Sequence, residues 1–410
     1  MTKEDNLNSF LSLGYFLDYK NEDVSFDFSE IPILKEELSL LSEQDLFLEC
    51  KKRWFTTFEK LYERGNHVVP ISGGLDSRAI LATLLEFVSA DKIATYTFGT
   101  PGTYDYEIGK LVAKKIGTNH TQFSFNDYVF STEKEIEVSK RIDHQTFLFH
   151  HPPIEKIENM FKNDFIWSGY ILDVLAGSYY SSGESDFILA KKNTFDKDSF
   201  NKSIILSKPN TNIHLNYEPP NLLLDPEILS YKEQITLVNR QLKNTAPHIL
   251  YKGFTYKIPV LNKDLFDFFF SLDDKYRKNQ LFYIRFLMQE FPSLFSLPVK
   301  SMHGLPLNSS KIKVSARLLK NKFSYFLKMF SPSIIHPHIN YLDFNEGIRR
   351  RQDLNKVIRE NIYDLKNRGL VDWIDVDNIY HNHMKRNGNY ADALIVLASL
   401  EIHLKAGKIL

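Results

Sequence analysis

Cysteine is nearly absent: Cys50 stands alone in 410 residues, which excludes a disulfide framework and any CxxC zinc or redox pair. An excess of charge is missing too. The 51 Lys and Arg balance 51 Asp and Glu, so no global field selects nucleic acid or an anionic membrane. No run approaches the roughly 18 uninterrupted apolar residues of a membrane span. Met1-Thr2-Lys3-Glu4-Asp5 opens without the apolar core of a secretory signal, and a cytoplasmic location is expected. Neither GxxxxGK[ST] nor GxGxxG occurs, so a nucleotide grip has to be built in another way. A hydrophobic share of 43% and a charged share of 25% are ordinary for a globular protein. The length accommodates two or three domains, or one large α/β unit with an appended helical part.

What is present is a loop. Val68 to Ile71 reads as a buried strand, and Ala79, Ile80, Leu81 and Leu84 follow at helical spacing. Between them stands Ser72-Gly73-Gly74-Leu75-Asp76-Ser77. Two adjacent glycines let the backbone turn sharply and aim several N–H groups at one point, where the new helix adds its positive end. Ser72 and Ser77 supply hydroxyls, and Asp76 supplies a carboxylate for the magnesium ion that accompanies a polyphosphate. An ordinary Gly-Gly turn with Asp76 as helix cap is the plain alternative.

Around this loop the pattern alternates. Ile93 to Phe98 reads as a second strand, Asp105 to Ile116 as a helix, His120 to Phe125 as a third strand and Phe165-Ile166-Trp167 as a fourth. The expected fold is therefore α/β, a parallel sheet with helices on both faces. Ligands of such sheets sit at the carboxyl ends of the strands, where Ser72, Thr97 and Ser168 fall. Before the loop, Leu11 to Leu17 is apolar, Asn21 to Glu30 acidic and irregular, and Leu34 to Arg53 helical. Beyond the fourth strand, Lys208 to Asp225 reads as a long loop or an insertion. Pro226 to Leu242, Leu261 to Leu272, Leu281 to Glu290 and most of Leu354 to Leu410 read as helices. His144, His150 and His151 cluster ahead of Pro152 and fit capping or core roles better than a metal site. Lys311, Lys313, Arg317, Lys320, Lys322 and Lys328 interleave with Leu318, Leu319, Phe323 and Phe326. Such a basic amphipathic stretch covers an active site, touches an acidic substrate, lies on a membrane surface or is a solvated helix face.

In order, these segments resemble the synthetase domain of the asparagine synthetase family, which includes the β-lactam and carbapenam synthetases and the lasso-peptide cyclases. The resemblance runs from roughly Phe55 to the C-terminus. It rests on Ile71 to Ser77, on Tyr96-Thr97-Phe98-Gly99, on Tyr104-Asp105-Tyr106-Glu107 leading into Val112 to His120, on Ile166 to Asp173, and on Ile258-Pro259-Val260-Leu261-Asn262. It implies an adenine nucleotide α-hydrolase-like fold over 55–410, with a helical C-terminal part and 1–54 as an N-terminal extension. It also implies an ATP-dependent, AMP- and pyrophosphate-forming amide ligase using ATP and Mg2+ on a small-molecule or peptide carboxylate. Ser72, Gly73, Gly74, Asp76, Ser77, Thr97, Phe98 and Gly169 would then meet ATP, and Asp76 with Asp173 would hold the metal; Asp173 as a helix cap is the alternative. The family's asparagine synthetases carry Glu after this Asp, where this chain has Val174.

Tyr170 matches the β-lactam and carbapenam branch, in which tyrosine belongs to a base dyad acting on the amine, although Ile171 replaces the glycine found there. A pocket-wall aromatic is the other reading. Lys300 resembles a family lysine that neutralises charge at the α phosphate, against a surface lysine in a loop. Arg285 resembles a neighbouring arginine, against a helix-surface ion pair. Glutamine-dependent members begin with a catalytic Cys in a separate domain, whereas here Thr2 follows Met1 and Cys50 falls in a helix. Ammonia is then expected from solution or a partner protein, or the amine belongs to the substrate. Nucleic acid is not expected. A PP-loop tRNA-modifying enzyme and an inactive nucleotide-binding scaffold are the alternatives. One cysteine and zero net charge weigh against the first, and the retained Ser72, Asp76 and Asp173 against the second.

Overall fold

A computed structural model describes residues 1–26, 31–180, 186–201, 203–209, 211, 213–217, 224–330 and 335–410. Parts of two expected loops, 27–30 and 218–223, lie outside the described residues, as does the side chain of Lys328. Five strands form one parallel sheet: β1 (His67–Pro70), β2 (Ile93–Gly99), β3 (Asn119–Ser124), β4 (Phe165–Trp167) and β5 (Thr255–Lys257), in the order β3-β2-β1-β4-β5. The chain steps outward from β1 to β3, then returns to lay β4 on the other side of β1. The loops leaving β1 and β4 therefore part from one another and open a crevice at the sheet's carboxyl edge.

Alternation along the strands sorts the core. Val69, Ile93 and Trp167 face one layer, packed by Trp54, Phe58, Phe268 and Tyr283 from the Glu43–Leu61, Lys263–Phe270 and Leu281–Glu290 helices. Val68, Tyr96 and Ile166 face the other, covered by Ile157 and Phe161 of the Ile154–Phe161 helix. Helices thus cover both faces, as expected. The helical C-terminal part consists of Gln352–Asn367, Val376–Met384 and Ala391–Lys405. Ala391–Lys405 is buried almost all round, packed by those helices and by Lys3–Leu13 and Thr132–Arg141.

Three local expectations need correction. Leu34 to Arg53 is two helices, Ile31–Ser39 and Glu43–Leu61, because the Ser42 hydroxyl accepts the Asp45 N–H and starts a new helix. Pro226 to Leu242 is α-helical over Tyr231–Ile235 alone, then widens into a π-helix, Thr236–Thr245. Leu261 to Leu272 is helical over Lys263–Phe270, with Asn262 as its cap. Strand β5 was not expected: Thr-Tyr-Lys is too short and too polar to stand out.

Candidate active site

The loop after β1 is clamped before any ligand is considered. Thr97 Oγ1 on β2 donates to the Ile71 carbonyl at 2.8 Å. Within the loop the Ser72 N–H donates to Ser77 Oγ and the Gly74 N–H to Ser72 Oγ, each at 3.2 Å. The Asp76–Leu84 helix begins at Leu75 with no side-chain cap, so its first N–H groups point into the crevice unspent.

Opposite lies the turn after β4. Gly169 presses so closely on Asp76 that a Cβ there would sit 2.9 Å from the Asp76 Cβ. Ile171 takes φ +55°, a costly conformation for a β-branched residue, and a single turn, Leu172–Leu175, then presents Asp173. Asp76 and Asp173 are thereby brought together. Burial, and next the charge of Asp173, push the Asp76 carboxyl well above the ordinary range; burial also raises Asp173. The buried Tyr283 hydroxyl donates to Asp76 at 3.1 Å, and Ser178 Oγ to Asp173 at 3.1 Å. Among the described residues no group of three or more His, Cys, Asp or Glu is arranged to hold a metal ion, so a cation here would need oxygens from its ligand to complete its shell. Two desolvated carboxylates, one raised by the charge of the other, suit such a cation, whose charge offsets the cost of ionising both.

The Lys300 segment forms the third side. The Lys300 N–H donates to the Gly73 carbonyl at 2.8 Å, and the Gly73 N–H donates to Asp105 at 3.2 Å. The Lys300 ammonium pairs with Asp105 at 2.5 Å and also meets Asn340. A Cβ on Gly73 would lie 3.1 Å from Lys300 Cβ, so any larger residue would press on this contact. Arg78, fully buried on the loop's own helix, donates to the carbonyls of Leu294, Leu297 and Pro298 at 3.2, 3.3 and 2.7 Å. It fastens the chain just before Lys300 to the loop.

These walls enclose a cavity of about 450 Å³ that Thr97, Phe98 and Tyr170 also line, a size that admits a small ligand. Phe98 stacks on Tyr341, centroids 5.3 Å apart. His150 and His248 line the inner part, and burial lowers their pKa values to about 3 and about 4, leaving both neutral. Tyr170 is 2% exposed and its hydroxyl donates to the Gln241 carbonyl of the π-helix at 2.8 Å. Burial raises its pKa, with no carboxylate contributing.

Other sequence candidates lie elsewhere. Arg285 pairs with Glu43 on the surface at 2.7 Å, both half-exposed. His144 meets Ser139, and His151 forms a buried pair with Glu135 at 2.9 Å, so the three histidines share no site. Sequence reasoning did not single out Asp105, Tyr283, Asn340, Tyr341 or His248; Asp105 lay within a quoted segment without a distinguishing local signal.

No curated protein matches the chain. Residues 63–139, which span β1, the Ser72–Ser77 loop, β2, β3 and the helices between and just after them, match the asparagine synthase family model, so this segment is similar to the asparagine synthetases.

Proposed function

We propose that the protein is an amide ligase that adenylates a substrate carboxylate, with release of pyrophosphate, and lets an amine or ammonia displace AMP. One observation carries this reading: an uncapped helix N-terminus, the Asp76–Asp173 pair and Lys300 meet at the sheet's switch point. Ser72, Gly73, Gly74 and Ser77 would hold the β and γ phosphates by N–H and hydroxyl groups, with Thr97, Phe98 and Gly169 beside the nucleotide. Asp76 and Asp173 would hold Mg2+, which supplies charge neutralisation on the leaving pyrophosphate. A carboxylate oxygen of the substrate attacks the α phosphorus as the bond to pyrophosphate breaks, and Lys300 stabilises the charge that develops there. The amine then attacks the acyl carbon and AMP departs with the bond electrons.

The test is chromatography of spent nucleotide from purified protein, Mg-ATP and a panel of sugar acids, peptides and small carboxylates. AMP with equimolar pyrophosphate is expected in the presence of a substrate. ADP and phosphate would overturn the reading.

Tyr170 belongs to the wall in this reading, because its hydroxyl is committed to the Gln241 carbonyl and lacks a carboxylate partner. Tyr170→Phe is expected to cost about 1 kcal/mol of stability and to hold amide formation within about tenfold of the parent. A loss of about a hundredfold in amide with ATP–pyrophosphate exchange intact would instead make it the base. Sulfur transfer on tRNA is disfavoured by Cys50, which is fully buried and whose thiol burial pushes well above its usual range.

A further inference from the structure

The chain as a whole is neutral, yet between Glu290 and Asp343 it holds no aspartate or glutamate and seven Lys and Arg. Most of these lie on the Lys311–Phe330 helix. Its inner face is tied to the active-site wall: Arg317 donates to the His303 carbonyl at 3.2 Å, and Asn321 Nδ2 to the Tyr104 hydroxyl at 3.2 Å. The outer face is of another kind. Ile312, Leu319 and Phe323 are 83%, 70% and 60% exposed, and at i, i+7 and i+11 they fall on one line down the helix. Lys313 and Lys320 run along one side of that line, Lys311 and Lys322 along the other. All four are exposed and enter no ion pair among the described residues.

We propose that this outer face docks on an anionic membrane surface. Protruding apolar side chains enter the boundary between headgroups and acyl chains, lysine stems lie alongside them, and the ammonium groups reach the lipid phosphates. The face is a ridge, so a protein partner would have to offer an apolar groove with acidic rims on both sides. A bilayer containing anionic lipid presents apolar depth and negative charge together, at any position along the ridge. No helix among the described residues is long and apolar enough to cross a membrane, so the attachment is peripheral. It would hold the Lys300 side of the cavity next to the bilayer, and it stands or falls independently of the ligase reading.

The test is sedimentation of the full chain with phosphatidylcholine vesicles, with and without phosphatidylglycerol. Binding is expected to the anionic vesicles alone and to weaken with salt. The double variants Leu319→Ser/Phe323→Ser and Lys313→Glu/Lys320→Glu are each expected to weaken it by roughly tenfold or more. These side chains are exposed, so the melting temperature should not move, which separates lost docking from lost folding. Failure to sediment with anionic vesicles, or sedimentation indifferent to both variants, would overturn the proposal. So would a lipid-free dimer in light scattering that both variants dissolve, because the face would then join two copies of the chain.

Discussion

Asp76→Asn is expected to lower pyrophosphate release by about a thousandfold or more and, at neutral pH, to make the protein harder to melt. The two effects share one cause. Burial and the nearby Asp173 carboxylate raise the Asp76 pKa far above its unfolded value, so the ionised form that would bind a cation is disfavoured in the fold. Asparagine keeps the shape and can still accept the Tyr283 hydroxyl, but it brings no charge. The sign follows from linkage: a carboxyl with a raised pKa binds its proton more tightly when folded, so the parent gains stability as pH falls. The variant's advantage in melting temperature should therefore be greatest at neutral to alkaline pH and shrink toward pH 4. Parallel pyrophosphate assays and melting curves across pH check both arms. Activity retained in the variant would remove Asp76 from the metal site, and a fall in melting temperature at pH 7 would show that the pair is not held under repulsion.

The next largest effect is expected at Lys300. Its ammonium is a cation lining the cavity beside the loop, held between Asp105 and Asn340. Lys300→Met should cost about 3 kcal/mol of transition-state stabilisation, roughly a hundredfold in kcat, judged from loss of a single charge-stabilising donor. The KM for ATP should change little, because the main-chain bond from residue 300 to Gly73 survives the substitution. Arginine should not rescue, since its wider planar fork does not fit the place of a compact ammonium between Asp105 and Asn340. Full product formation by the methionine variant would take Lys300 out of the chemistry. A change confined to the KM for ATP would make it a phosphate-binding contact instead.

What was legible in the sequence was local. The Ser72–Ser77 loop could be read because its strand, glycines, carboxylate and helix are consecutive, and β1, β2 and β4 because each is a short, largely apolar run; the polar β3 could be read only from its place after the Tyr104–Ile116 helix. The partners of that loop come from far along the chain. Tyr283 reaches Asp76 across 207 residues and Lys300 reaches Asp105 across 195, and only packing brings such pairs together. The π-helix escaped because ten residues do not separate a wider turn from an ordinary one, and its buried Asn239 and Gln241 gave no apolar stripe. The break at Ser42 escaped although its signal was present: a serine with Asp45 three residues on, inside a periodic run that continues past both.

Arg78 has a consequence for how such a protein can diversify. Its guanidinium fixes the spacing between the Ser72–Ser77 loop and the lysine segment directly, through main-chain carbonyls 216 to 220 residues away in sequence. Main-chain acceptors do not depend on which side chains stand at Leu294, Leu297 and Pro298. Much of the intervening chain, the π-helix and the inner cavity wall included, can therefore be rebuilt around a new acceptor while the distance between loop and lysine is kept. A change of substrate then need not begin with a change of catalyst.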